Sequence, residues 1–212
     1  MALELIKQAL HPLAAIAWGD LAIGRLGVPT VICSYMFVIA DSEMNEAIQK
    51  FHDAGFIHKS WSFGSAVDPK TVSGNPVLRE MHDRTATSWA SLDCHSTRFT
   101  LPPNSGFADS QVVLFPNSYV DMTLPTSASD PRFHAEDNLY YPEVYPLLES
   151  IAKLQAKGQT TGEWEGLLNV WAITYLYGHL HLADNVLDSC GNADILRWFN
   201  TKIRRFEGGL ER

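Results

Sequence analysis

Ser34-Tyr35-Met36 lies in the middle of an apolar run, Thr30 to Ala40, that is β-branched and aromatic almost throughout. Such a run reads as a strand buried on both faces of a sheet. Side chains two apart on a strand share a face, so Ser34 and Met36 point the same way. Two carboxylates in those places would hold a divalent ion. A hydroxyl and a thioether do not, because magnesium takes carboxylates together with phosphate oxygens. The chemistry left to this face is metal-free: hydrogen bonding, or proton transfer by Asp20, Ser34, His82 or His95.

The other reactive side chains come in short clusters. His82-Asp83-Arg84 and Asp93-Cys94-His95 would form an acid/base pair or, by pairing His82 with Cys94, a Cys-His dyad. Hydrogen-bonded loop polars are the plainer reading. His179 and His181 are two apart in a helix-like stretch, where they diverge by about 200° and cannot converge on one ion. They read as core histidines, with His181 and Asp184 spaced for a local ion pair. Asp41 falls five residues beyond Met36, on the strand's opposite face. Asp109 and Asp121 flank a later strand and offer at most a third acid, which alone makes no two-metal site.

Several elements must position these groups. Leu3 to Leu10 is an amphipathic helix ended by His11-Pro12, and Ala14 to Leu26 reads as a second helix rich in Ala and Gly. After the opening strand, Ser42 caps a helix that Gly55 stops near Ala54. Phe56 to Ser62, Thr97 to Leu101 and Gln111 to Phe115 read as strands, and Gly64 to Met81 as loop. From Tyr145 the pattern is helical, ending with Asp194 to Phe206. Trp164, Trp171 and Tyr175 share one helical face, where core packing is the usual role. They are also available to line an apolar pocket against the small-residue helix. The reading divides the chain into an α/β core at 1–122, a connecting loop at 123–141, and a helical part at 142–212 packed on the core.

The order of small-residue helix, Gly-x-Pro turn, apolar strand and helix resembles the core of the nucleotidyltransferase superfamily. The likeness is closest to small fungal proteins assigned to that fold. It is strongest over residues 13 to 56, with "VVLFPNSYVDM" and "EVYPLLESIAKL…ITYLYGHL" extending it more weakly. The family's motif is a hydrophobic residue and Gly-Ser or Gly-Gly opening a helix, followed by acid-hydrophobic-acid on a strand. The glycine turn admits the triphosphate, and the two acids hold the metal that orients the attacking hydroxyl. Here Trp18-Gly19-Asp20 takes the first place and, after thirteen intervening residues, Ser34-Tyr35-Met36 takes the second. Both metal-binding acids are therefore missing, and Asp20 sets a negative charge where a triphosphate needs a donor.

The resemblance thus implies a mixed sheet flanked by helices and a degenerate member of the family. Its inherited cleft, at Trp18, Gly19, Met36, Trp171 and Tyr175, is expected to bind a small, largely apolar molecule or a partner. The alternatives are a metal-free isomerase or cyclase using Asp20, Ser34, His82 or His95, and an active transferase with acids elsewhere. No cofactor or metal is expected.

The whole chain sets outer bounds. Its 212 residues are 46% hydrophobic and 19% charged, ordinary values for a globular protein. A net charge of −8 argues against nucleic acid as partner. The one basic cluster, Arg197, Lys202, Arg204 and Arg205, reads as a solvated helix end. Three cysteines without CxxC spacing suit a reducing compartment, with Cys33 read as a small core residue. Gly166 to Ala183 lacks Asp, Glu, Lys and Arg but is too polar for an ordinary membrane span, and Glu4 and Lys7 interrupt any leader at the N-terminus. A cytoplasmic protein without membrane contact is expected, its oligomeric state open.

Overall fold

The computed structural model describes residues 1–72, 74–107 and 110–205. Asp109 and Phe206, both named above, lie outside the described residues. Seven strands of the described residues form one mixed sheet: β1 (Ala15–Trp18), β2 (Ser34–Ile39), β3 (Ile57–His58), β4 (Thr97–Thr100), β5 (Gln111–Pro116), β6 (Phe133–Glu136) and β7 (Leu139–Pro142). Their order is β3-β4-β5-β2-β1-β7-β6. At the centre, β2 runs antiparallel to β1 and parallel to β5, and β1 runs parallel to β7. Among the described residues, eight α-helices flank it: α1 (Ala2–Leu10), α2 (Asp20–Arg25), α3 (Met44–Asp53), α4 (Pro76–Asp93), α5 (Asn117–Val120), α6 (Val144–Ala156), α7 (Gly162–Asn169) and α8 (Ala193–Phe199). The fold is α+β, with helices prevailing towards the C-terminus, as the sequence led us to expect.

Strand alternation splits the core in two. Ile16, Trp18, Met36, Val38, Val113 and Phe115 face the helices of the C-terminal half. Ala15, Ala17, Phe37, Ile39, Val112 and Leu114 face α1 and α3 instead, against Ile6, Leu10 and Phe51. Fully burying each large side chain is worth about 1.5–3 kcal/mol, so both layers hold the sheet.

The expected helix over Ala14 to Leu26 is corrected. Its first third is the strand β1, because small Ala15 and Ala17 alternate with large Ile16 and Trp18 at period two. The opening strand begins at Ser34, not Thr30. The backbone N–H of Cys33 donates to the Asp20 carboxylate at 3.4 Å instead of a ladder carbonyl, and Cys33 is exposed rather than core. Helix α3 starts at Met44 after a short 3₁₀ turn, with no side-chain bond from Ser42. The expected strand over Phe56 to Ser62 keeps only Ile57 and His58.

The span read as loop after Gly64 contains the start of α4, eighteen residues long. Gly74-Asn75-Pro76 is its N-terminus: Asn75 Oδ1 accepts the N–H groups of Val77 and Leu78 at 3.0 and 3.3 Å, and Pro76 occupies the first turn. The segment 123–141, read as a connecting loop, carries β6 and most of β7, which extend the common sheet beside β1. Among the described residues, no helix is long and apolar enough to cross a membrane. The stretch from Gly166 buries Leu168, Trp171, Ala172 and Leu176 and leaves Thr174 and Gly178 exposed.

Candidate functional site

Where β1 gives way to α2, Gly19 turns the chain with φ of +61°. A Cβ on Gly19 would sit 2.7 Å from Trp171 Cη2 and 3.1 Å from Met36 Sδ, so only glycine lets the turn pass beneath both side chains. Trp18 pairs with Met36 across the β1–β2 ladder, which brings the turn alongside the Ser34/Met36 face. Asp20 follows in the first turn of α2, an end of the helix that favours an acid.

A cavity of about 470 Å³ opens over this junction. Asp20 of α2 and Ser34 and Met36 of β2 line it together with Phe63, Trp89, Leu167, Trp171 and Tyr175 and with residues of the Pro29–Cys33 segment. Trp171 and Tyr175 belong to a stretch, Val170–His179, in which α7 continues with π-type hydrogen bonding. Such widened turns are rare and recur at functional sites.

Asp20 is 7% exposed, and its two oxygens accept from Trp171 Nε1 at 2.9 Å and from the Cys33 amide at 3.4 Å. Burial pushes its carboxyl above the ordinary 3.8, against the smaller opposing pull of those two bonds. Ser34 is 2% exposed, and its Oγ has no hydrogen-bond partner among the described residues. An unpaired buried hydroxyl costs about 1–3 kcal/mol. Trp18 lies underneath, its indole donating to Ser150 Oγ at 3.2 Å and its ring 5.5 Å from that of Trp171 and 5.9 Å from that of Trp164.

The structure thus gathers Asp20, Ser34, Met36, Trp171 and Tyr175 around one cavity, with Trp18 and Gly19 packed below it. Two candidates stand elsewhere. Half-buried His82 on α4 shares a hydrogen bond of 3.1 Å with Ser65 Oγ. Exposed His95 stacks on Tyr119 at 4.4 Å and bonds the Ser91 carbonyl. Neither lines the cavity. A His82–Cys94 dyad is ruled out by geometry, since twelve residues of helix separate them by about 18 Å. His179 and His181 are exposed rather than core, and Asp184 accepts from the Tyr177 hydroxyl and not from His181. Asp41 is tied to α5 through Asn117 and Ser118, and Asp121 faces Lys153 and Lys157 at 3.6 and 3.2 Å. Among the described residues, no three His, Cys, Asp or Glu side chains are grouped to hold a metal.

Phe63 and Trp89 were not foreseen. Phe63 is placed by two buried cations that sequence gives no means of finding. Lys59 Nζ donates to the carbonyls of Phe63 and Ser65 and to Gln111 Oε1, and burial lowers it from 10.5 to about 8. Arg98 pairs with Asp93 at 3.0 Å, and Asp93 Oδ1 also accepts the Phe63 N–H at 2.9 Å. Trp89 was hidden because α4 itself was missed. Its ring packs 4.7 Å from Phe63.

No protein-family model, curated protein or solved structure matches the chain. The site therefore speaks through its own geometry.

Proposed function

We propose that the protein binds a small, largely apolar molecule in the Asp20–Ser34–Trp171 cavity, and that it is a nucleotidyltransferase-like chain without the strand carboxylates for metal. The observation that carries the binding reading is a cavity lined mainly by Met36, Phe63, Trp89, Leu167, Trp171 and Tyr175, with buried Asp20 and Ser34 among its few polar groups and Ser34 Oγ without a partner among the described residues. A volume of about 470 Å³ lies within the usual range of ligand pockets. The β1–Gly19–α2 turn beside an antiparallel β2 supports the resemblance, since it sets the glycine position next to the strand position where the acids would stand. Asp20 is the one carboxylate among the described lining residues, too few for magnesium and a triphosphate.

A metal-free acid/base enzyme is the second reading. It is favoured by Asp20 alone, whose burial holds its proton more firmly than a free carboxyl would, as a general acid requires. Without His82 and His95 at the cavity, Asp20 and Ser34 would carry that chemistry by themselves.

Two titrations test the leading reading. Nile red, an uncharged apolar dye, should brighten on entering the cavity, and magnesium ATP should give no heat by calorimetry. Magnesium-dependent binding of the nucleotide at micromolar concentration would overturn the reading.

A further inference from the structure

We propose that the cavity's ligand is a protonated aliphatic amine carried on an aromatic or polycyclic body. This rests on the binding reading above and adds the ligand's charge. Asp20 borders the cavity as a buried carboxylate whose partners, an indole N–H and a backbone amide, are both neutral. Among the described lining residues there is no Lys, Arg or His. A carboxylate or phosphate entering would meet Asp20 with nothing to offset it, whereas an ammonium group would meet its counter-charge in a setting poor in water.

The walls favour the same guest. Phe63, Trp89, Trp171 and Tyr175 bring four aromatic rings to one cavity, and a desolvated cation is drawn to a ring face. Ser34 lines the same cavity as Asp20, and its buried Oγ has no partner among the described residues, so both are acceptors for the three N–H bonds of an ammonium group. A neutral apolar guest would fill the walls and leave the carboxylate unanswered.

Tryptamine, its alcohol counterpart tryptophol and indolepropionate share one ring system and differ in charge. Titrated calorimetrically near neutral pH, tryptamine should bind about tenfold tighter than tryptophol, the factor expected of one desolvated charge contact, and indolepropionate should not bind. Asp20→Asn, checked by thermal melting, should erase that gap. If tryptophol binds as tightly as tryptamine, the amine inference falls and the apolar cavity stands. If none of the three binds and Nile red stays dark, both fall together. Should Asp20→Asn fail to fold, the order of the three probes on the unaltered protein decides alone.

Discussion

Asp20 and Gly19 show how much of the site depends on single side chains. The Asp20 carboxyl is raised above its ordinary 3.8 by burial. Between those two values the folded chain binds a proton that the unfolded chain has released. Stability from this group is therefore complete at acid pH and is lost as pH rises through the raised value. Subtracting the unfolding free energy of Asp20→Asn from that of the unaltered protein, between about pH 3 and 7, should give a difference that falls and then levels. A difference that climbs with pH would mean that Asp20 is held as a favoured anion. Gly19→Ala is expected to cost about 1–3 kcal/mol in a urea titration, because φ of +61° is hostile to a side chain and the new methyl meets Trp171. That variant should also weaken Nile red binding, since Trp171 has to shift away from Asp20.

At the level of elements, α4 matters most, since it supplies Trp89 to the cavity and Asp93 to the loop that holds Phe63. Its start depends on Asn75, whose side chain satisfies two otherwise unpaired N–H groups. Asn75→Ala should lower stability by about 1 kcal/mol by chemical denaturation, with the loss greater than that of Ser42→Ala, whose side chain caps no helix in the fold. The sequence disclosed α1, α3, the central strand and the Trp164–Trp171–Tyr175 face because each repeats at one clear period. It disguised β1, where small and large residues alternate within a run rich in Ala and Gly. It disguised α4, where Asn-Pro signals a turn and a helix start equally well. Of the site, Asp20, Ser34 and Met36 were legible from spacing on neighbouring elements. Phe63 and Trp89 were not, because their approach depends on buried Lys59 and Arg98 and on the close packing of α4 against α7.

Across the whole molecule, one sheet serves two cores, and its central strands contribute alternate side chains to each. Neither core is whole without the sheet, and the C-terminal helices provide much of one of them. Far-UV and near-UV circular dichroism should therefore report a single coincident thermal transition. A separate early loss of the near-UV signal would show that the helical half melts on its own.

The two margins of that sheet differ from its centre. β3 at one edge has two residues, both exposed, and β6 at the other carries exposed His134 beside Glu136, which Arg25 also engages. Short or charged margins give an approaching chain little ladder to copy. The native molecule should thus be a poor template for strand-by-strand fibril growth, and clumping in concentrated solution would begin with chains that have already opened.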